Sequence, residues 1–274
     1  MSKSTNHDPR FHLPLYLSVV VPAYNEERRL PNTIKKILEY LDAQHYDSEL
    51  IIADDGSSDR TAALVEAMAA QYPKLHLLRL DHRGKGYAVR AGALAAHGEF
   101  VLLCDADLAV PIEQWERLET SLRSGYHVAI GSREGIGASR VGEPWHRHVM
   151  GRVFNLIIRM VAIGGFQDTQ CGFKAMHHVV STDLFNRVRI YGENAPAVRG
   201  AAVTAYDVEL LFLAVKRGYR VAELPMPWHY GEETKVSAMR DSWRNLRDVM
   251  RVRWNALRGV YQHLDAPRPV VSSQ

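Results

Sequence analysis

Two aspartates separated by one alanine, Asp105 and Asp107, directly follow the apolar run FVLLC at residues 100–104. Side chains of a strand alternate between its faces, so residues i and i+2 point the same way and these two carboxylates share a face. Like charges this close destabilise each other unless a cation neutralises them, and such oxygen ligands suit Mg²⁺ or Mn²⁺. A D-x-D pattern alone is weak evidence, but its place after an apolar run predicts a metal site that also holds phosphates.

Three further polar clusters follow apolar runs in the same way. They are PAYNEE at 22–27, DDGSSD at 54–59 and DHRGKG at 81–86. Each could be a polar turn with helix-capping residues, but four such turns at one edge of a sheet favour a binding site.

The elements that must position these clusters are short β-rich runs alternating with helical patterns. Strands are predicted at 15–21, 49–53, 75–80, 99–104 and 127–132, with helices near 85–97 and 111–124 among those between them. Strands alternating with helices form βαβ units, so we expect an α/β fold with a mainly parallel sheet flanked by helices. Ligands of such sheets bind at the carboxyl ends of the strands, where all four clusters lie.

The regular alternation ends after residue 133. The expected elements there are a helix at 149–163, a compact polar run at 167–176, a helix at 206–218, a strand at 219–230 and a final helix at 238–262. The predicted organisation is a flexible lead at 1–14, one domain at 15–236, an amphipathic helix at 237–263 and a flexible tail at 264–274.

The composition is that of a soluble globular protein. The chain has 274 residues, is 46% apolar and 24% charged, and carries a formal charge of +3, too little for a general nucleic-acid binder. Cys104 and Cys171 are its only cysteines, which fits a reducing cytoplasm. The polar amino terminus does not resemble a signal peptide, and the most apolar later segment is too short to span a membrane.

The third cluster places Arg83 and Lys85 among glycines just before a predicted helix, where backbone N–H groups favour anions. The spacing is not that of a Walker P-loop. Asp54 and Asp55 could accept hydrogen bonds from a nucleobase or a ribose, as acidic residues at strand ends do in dinucleotide sites. The residues therefore predict acceptors for a nucleoside and a metal for its diphosphate.

In combination, the segments VVPAYNE, DDGSSD, RGKG, DAD, GSR and DTQCGFK resemble the family 2 glycosyltransferases of GT-A (Rossmann-like) fold. The resemblance covers about residues 17–261 and is greatest to the polyprenyl-phosphate branch, the dolichyl-phosphate glucosyl- and mannosyltransferases. It implies inverting transfer of a sugar from a nucleotide diphosphate sugar to a polyprenyl or dolichyl phosphate, with Mg²⁺ or Mn²⁺ as cofactor.

The resemblance also implies roles for individual residues. The expected nucleotide-binding residues are Pro22, Ala23, Tyr24, Glu26, Asp54, Asp55, Lys85, Asp105 and Ala106. The expected metal ligands are Asp105 and Asp107. Arg133 would bind the acceptor phosphate, and Arg147 and Arg152 are further candidates that could equally be surface arginines. The residues expected to contact the sugar or to form the loop around it are Asp168, Gln170, Trp228 and Lys235. The catalytic residues would be Lys85, Asp107 and Arg133.

Two departures from the mannosyltransferase pattern bear on the donor. Ala109 stands where those enzymes have a glutamine after D-x-D-L, and Trp228 stands where a later segment has an arginine. Both departures resemble the glucosyltransferase branch. UDP-glucose is therefore the first expected donor, and GDP-mannose is the alternative.

A phosphate acceptor is already ionised at neutral pH, so no side-chain base need remove its proton. Asp168 would then be free to hold Lys174 or a sugar hydroxyl, or to stabilise its loop. A sugar or protein hydroxyl as acceptor would instead need a carboxylate base, for which Asp168 is the candidate. A nucleotide-sugar-binding module without turnover is the remaining alternative.

The final helix carries an apolar stripe beside a basic one. The stripes consist of Trp243, Leu246, Met250, Trp254, Leu257 and Tyr261, and of Arg240, Arg244, Arg247, Arg251 and Arg258. Such a helix can lie on a membrane surface or can pack its aromatic residues on the domain, and the sequence leaves both open. The expectation for the whole protein is peripheral attachment to the cytoplasmic face of a membrane.

Overall fold

The computed structural model describes residues 15–141, 165–198, 200, 206–229 and 238–261. The strands in these ranges are β1 Leu17–Ala23, β2 Ser48–Asp54, β3 Leu75–Arg79, β4 Phe100–Leu103, β5 Val128–Ser132, β6 Ser139–Val141, β7 Lys174–His177, β8 Val221–Pro225 and β9 Pro227–His229. The helices are α1 Leu30–Asp42, α2 Thr61–Ala69, α3 Lys85–Ala95, α4 Trp115–Arg123, α5 His178–Phe185, α6 Tyr206–Lys216 and α7 Ala238–Leu257, with a 3₁₀ turn at Ile112–Gln114.

Seven of the strands form one sheet in the order β3-β2-β1-β4-β7-β5-β8. Every neighbouring pair is parallel except the two that involve β7, which runs antiparallel to both β4 and β5. The mainly parallel sheet flanked by helices is thus confirmed. The description of 167–176 as only a polar run was wrong at its end, because Lys174–Met176 belong to the buried strand β7.

Both faces of the sheet are buried, as expected for strands connected by helices. In β1, Val20 belongs to one apolar core, whereas Val19 and Val21 belong to the other. Helix α1 packs on the second core through the side chains buried along one face, namely Leu30, Ile34, Ile37, Leu38 and Leu41. The period-two and helical spacings of the sequence therefore correspond to real core faces.

The later part of the chain differs from its sequence-based description at a divided strand and at an additional helix. The strand expected at 219–230 is divided at Met226 into β8 of the main sheet and β9, which pairs with β6 in a separate two-stranded sheet. Helix α5 was not predicted. The helix expected at 149–163 lies outside the described residues.

Helix α7 packs on the domain through one side, and the aromatic stripe is divided: Tyr261 is 6% exposed and donates to Glu209, whereas three other members of the stripe are exposed. Val249 and Val252 are fully buried, whereas Met250, Trp254 and Leu257 are 52%, 58% and 69% exposed. Among the described residues, no helix combines the length and the apolar character that crossing a bilayer requires.

Candidate active site

The four polar clusters meet at one edge of the sheet. Strands β2, β1 and β4 are neighbours and run parallel, so the chain leaves them at the same edge. Ala23 pairs with Asp54 in the β1–β2 register, which places the ends of these strands side by side. The structure thus brings the first, second and fourth clusters together, and α3 carries the third.

The D-A-D turn is held from both sides. Thr33 of α1 donates its hydroxyl hydrogen to the Ala106 carbonyl at 2.7 Å, and the His229 backbone N–H donates to the Ala109 carbonyl at 2.8 Å. Inside the turn, Asp107 Oδ1 accepts from the Ala109 N–H, and Leu108 has a φ of +48°. A non-glycine residue in this conformation is strained, which is common in functional loops.

Lys85, the first residue of α3, contacts the first aspartate of the turn, with 2.6 Å between its Nζ and Asp105 Oδ1. Burial raises the pKa of Asp105, but the Lys85 ammonium outweighs it and holds that pKa below its ordinary value. Loss of hydration and the charge of Asp105 together raise the pKa of Asp107, although its side chain is exposed. The two carboxylates therefore repel each other, and Lys85 neutralises only one of them.

This donor set fits Mg²⁺ or Mn²⁺. Mg²⁺ is commonly held by one or two carboxylates, with phosphates and water completing its shell, and Asp105 and Asp107 can supply that pair. Among the described residues, no group of three or more histidine, cysteine, aspartate or glutamate side chains could hold a metal. A metal here would share its shell with a bound diphosphate.

The start of α3 suits a phosphate group. Gly84 precedes the helix with a φ of +96°, and the N–H groups of the following turn lie at the positive end of the helix dipole. A Cβ on Gly86 would lie 2.7 Å from the Tyr191 ring and 2.8 Å from Tyr206 Cβ. Only glycine lets this turn pack so closely against the two tyrosines.

The adjacent aspartates of the second cluster differ in their contacts. Asp55 accepts hydrogen bonds from the backbone N–H groups of Arg83 and Gly84, and its Oδ2 lies 2.8 Å from His82 Nδ1. Asp54 is 3% exposed, and its Oδ1 has no hydrogen-bond partner. A buried acceptor without a partner is costly, so Asp54 is the better candidate for an N–H or O–H group of a ligand.

The remaining residues of the first cluster lie beside these aspartates. Pro22 and Ala23 are the last two residues of β1, and Tyr24 stacks on His82 with 3.9 Å between ring centroids. Glu26 pairs with Arg29 at 2.6 Å. The stacked Tyr24 and His82 rings provide a flat surface of the kind on which a nucleobase can lie.

On the other side of the D-A-D turn, Arg133 follows the end of β5 and is held by a buried carboxylate. Its Nε and Nη2 donate to Asp168 Oδ2 and Oδ1 at 2.7 and 2.9 Å, and its guanidinium lies 5.6 Å from the Trp228 ring centroid. Burial raises the pKa of Asp168, but Arg133 outweighs it and holds that pKa well below the ordinary range. Asp168 is therefore a poor base.

Asp168 also accepts from the Gln170 backbone N–H at 3.0 Å, so Gln170 lies in the same loop. Lys174, which the sequence suggested as a partner of Asp168, forms its ion pair with Asp207. Arg147, Arg152 and Lys235, also expected near the site, lie outside the described residues.

Sequence reasoning missed Thr33, His82, Lys174 and Asp207 as residues around the site. Lys174 lies in the segment DTQCGFK, where the sequence suggested only Asp168 as its partner, and Asp207 lies in the later segment YDVELL, to which no role was given. A lysine following an apolar residue inside a short β-like run was the available signal, because a buried lysine needs a buried partner.

The fold and this edge of the sheet define an α/β protein with an acidic turn at the carboxyl ends of its parallel strands. The family described as Glycosyl transferase family 2 matches residues 18–192, and the chain belongs to that family. The protein is accordingly a glycosyltransferase.

Curated relatives point to one branch of this family. The chain is 30% identical over 262 residues to dolichyl-phosphate beta-glucosyltransferase of Dictyostelium discoideum, a match covering 90% of this chain and 77% of that protein. It is 35% identical over 241 residues to a dolichyl-phosphate beta-glucosyltransferase of Trichomonas vaginalis, covering 82% of this chain and 70% of that protein.

Solved structures agree on the fold. Glucosyl-3-phosphoglycerate synthase from Mycobacterium tuberculosis, in complex with UDP, matches with a TM-score of 0.58 at 20% identity, over 88% of this chain and 80% of that one. A mannosyltransferase from Pyrobaculum calidifontis, in complex with GDP-Man and Mn²⁺, matches with a TM-score of 0.54 at 19% identity. The match covers 96% of this chain and 67% of that one. The expected GT-A architecture is thus confirmed.

Proposed function

We propose that the protein transfers glucose, with inversion, from UDP-glucose to a polyprenyl phosphate such as dolichyl phosphate, and that it requires Mg²⁺ or Mn²⁺. The observation that carries the proposal is the pairing of Arg133 with Asp168. The Arg133 guanidinium provides a cation for the acceptor. The Asp168 carboxylate paired with it is too weak a base to deprotonate a hydroxyl. An acceptor that arrives already ionised needs only the cation. The names of the curated relatives support the same acceptor.

In this mechanism an oxygen of the acceptor phosphate forms the new bond to the anomeric carbon of glucose. The bond from that carbon to the diphosphate breaks, and UDP leaves with the electron pair. Bound at Asp105 and Asp107, the divalent ion would neutralise charge on the diphosphate. The Lys85 ammonium, already fixed beside Asp105, would stabilise the same leaving group without rearrangement.

Arg133 would hold the acceptor phosphate, because a guanidinium presents several N–H groups in a fixed plane. Asp168 keeps that plane oriented through two hydrogen bonds. The Trp228 ring packs beside the guanidinium and limits its movement. The residue that replaces the arginine of the mannosyltransferase pattern thus lies beside the proposed acceptor site.

The decisive experiment is transfer of labelled sugar in a matrix of donors and acceptors. UDP-glucose with a short polyprenyl phosphate and Mn²⁺ is expected to give a labelled lipid. GDP-mannose, or sugar and protein hydroxyls in place of the lipid, should give little product. Efficient transfer to a hydroxyl acceptor, or undiminished transfer in excess chelator, would contradict the proposal.

Donor recognition can be tested at the two adjacent aspartates. Asp54→Ala removes the unpaired Oδ1 and is expected to weaken UDP binding roughly tenfold or more, the value of a hydrogen bond to a charged group, while stability loses only the 3.3 Å hydrogen bond from the Ser57 N–H to Asp54 Oδ2. Asp55→Ala removes an acceptor for two backbone N–H groups and is expected to lower the melting temperature. Calorimetric UDP titration and thermal unfolding of both variants check this. Unchanged UDP affinity in Asp54→Ala would remove Asp54 from the nucleotide site.

We also propose that the protein binds the cytoplasmic face of an anionic membrane through the exposed side of α7. Support comes from Met250, Trp254 and Leu257, which are exposed on one side of the helix, beside the exposed arginines Arg251 and Arg258. Apolar side chains enter the interface between headgroups and acyl chains, and each basic residue near the surface adds about 1 kcal/mol.

The membrane proposal predicts opposite results for the two sides of α7. Trp254→Ser together with Leu257→Ser should lower binding to anionic liposomes about tenfold or more, with little change in melting temperature, since both residues are exposed. Val252→Ser, on the buried side, should lower the melting temperature but leave liposome binding of the folded protein unchanged. Equal liposome binding by the double variant and the native protein would refute the assignment.

A further inference from the structure

A buried ion pair lies directly behind the acidic turn. Lys174 is fully buried in β7, where it pairs in register with Leu103 of β4 and Ile130 of β5. Its ammonium group donates to a carboxylate oxygen of Asp207 and to the Cys171 carbonyl. A lysine in the middle of a sheet is tolerated only when such partners compensate its lost hydration.

The Cys171 carbonyl connects this pair to the metal-site carboxylate through the next residue, Gly172. A Cβ on Gly172 would lie 2.2 Å from Asp105 Oδ2 and 2.4 Å from Asp105 Cγ. The Asp105 carboxylate therefore lies against the bare backbone of Gly172. Lys174 binds the carbonyl just before that glycine, so the lysine holds the same short stretch of backbone that Asp105 contacts.

Asp207 connects the pair to Lys85 on the other side. It is the second residue of α6, and the ring of its neighbour Tyr206 lies 6.0 Å from the Lys85 ammonium. Burial lowers the pKa of Lys85, but Asp105 and Asp207 outweigh it and hold that pKa above its ordinary value. The Asp105–Lys85 pair of the acidic turn and the Asp207–Lys174 pair behind it are thus connected through Tyr206, the neighbour of Asp207.

We propose that Lys174 and Asp207 are positioning residues, which act through Gly172 and Lys85 to hold Asp105 in the orientation that binds a metal-bound nucleoside diphosphate. Neither residue touches the substrate in this inference, which rests on the proposed use of such a ligand at Asp105. Titration of the native protein with UDP in Mn²⁺ tests that premise separately. If the native protein does not bind UDP, the proposed function fails before the variants are compared.

The first comparison uses two substitutions of the same kind in two buried ion pairs. Lys174→Met breaks the pair behind the acidic turn, and Arg217→Met breaks the pair of Arg217 with Asp183, whose contacts are 2.8 and 3.1 Å. Arg217 directly follows the end of α6 and lies ten residues after Asp207, roughly 15 Å away at 1.5 Å per residue. Both variants should unfold at lower temperature, since each removes the buried cation of an ion pair, although Asp183 keeps its contacts with Arg187 and the Tyr219 hydroxyl.

Only Lys174→Met is expected to weaken binding of UDP in Mn²⁺, by about 10- to 100-fold, as for other residues that orient metal ligands. Arg217→Met should bind with native affinity. Equal affinity in both variants would overturn the inference and leave Lys174 a structural residue.

Two further variants decide the question if Lys174→Met does not fold. Lys174→Met with Asp207→Leu removes both charges, and apolar replacement of a buried pair often restores stability. We expect this variant to regain the native melting temperature but not the native affinity for UDP in Mn²⁺. Full recovery of that affinity would overturn the inference.

Gly172→Ala leaves the ion pair intact and adds a Cβ against the end of the Asp105 side chain, which can turn away at little cost in stability. The melting temperature should stay within a few degrees of the native value, while UDP affinity in Mn²⁺ falls about tenfold or more. Native affinity in this variant would show that contact with Gly172 does not orient Asp105, which would also overturn the inference.

Discussion

Asp105→Asn is expected to lower the rate of sugar transfer roughly 10³-fold, the effect of removing one preorganised electrostatic contact from an active site. Asparagine keeps the shape of the side chain but carries no charge to bind a divalent ion or to fix the Lys85 ammonium, now 2.6 Å away. The Lys85 ammonium would still have Asp207 nearby, so the melting temperature should change little.

Single-turnover transfer from labelled UDP-glucose and calorimetric titration with UDP, with and without Mn²⁺, measure this effect. The matched control is Asp81→Asn, which changes an 81% exposed aspartate paired with Arg83 on the same edge of the sheet. That control should transfer sugar at the native rate. An Asp105→Asn protein that binds UDP equally well with and without Mn²⁺, and turns over normally, would exclude the proposed metal site.

The second large effect is expected at Arg133. Arg133→Ala should lower the free energy of unfolding by about 3–5 kcal/mol, because it leaves the fully buried Asp168 carboxylate without its partner. Adding Asp168→Asn removes the unpaired charge and should recover much of that loss. Chemical denaturation of the single and double variants measures both changes.

In the stabilised double variant, KM for the polyprenyl phosphate is expected to rise roughly 10- to 100-fold, as for loss of a charge-assisted hydrogen bond. UDP affinity should stay native, because the proposed nucleotide residues lie at the ends of β1, β2 and β4 and at the start of α3, whereas Arg133 follows β5. Arg79→Ala, which breaks an exposed pair with Glu66, should alter neither quantity. A loss of UDP affinity in the double variant would place Arg133 in the nucleotide site.

The stabilisation from the Arg133–Asp168 pair has a defined pH dependence. Arg133 lowers the pKa of Asp168 in the folded state, so its contribution is fully present above the unfolded value of about 3.9 and is lost as pH falls through the lower folded value. The stability difference between native protein and Asp168→Asn should therefore be constant from pH 5 to 8 and shrink only in strong acid. A difference that already shrinks near pH 6 would contradict the lowered pKa.

The sequence by itself determined the order of strands and helices in the first half and the positions of the polar clusters. These features depend on local spacing: apolar residues repeat at period two in strands and near 3.6 in helices, and polar turn residues end each run. The helix predicted at 206–218 also corresponds to α6. The family motifs lie in these same turns, so the acidic turn and the Lys85 segment could be recognised without a structure.

Only the tertiary structure decided which charges pair. Lys174 meets Asp207 across 33 residues and Arg133 meets Asp168 across 35, because the antiparallel strand β7 enters the sheet between β4 and β5. A four-residue strand is too short to show a distinctive periodicity. Its lysine is buried only because it has a charged partner elsewhere in the chain, and the local sequence does not show that partner.

The same reason explains one distinction that the sequence did not draw and one choice that it left open. Asp54 and Asp55 are neighbours of one type, and only the folded loop at His82 and Gly84 gives Asp55 its partners and leaves Asp54 Oδ1 with none. On α7, spacing could not say which side packs on the domain. The buried side includes Asp248, whose burial is tolerated because the Tyr191 hydroxyl donates a hydrogen bond to it. Contacts from another segment, and not helix periodicity, therefore decided that Trp254 faces away from the domain.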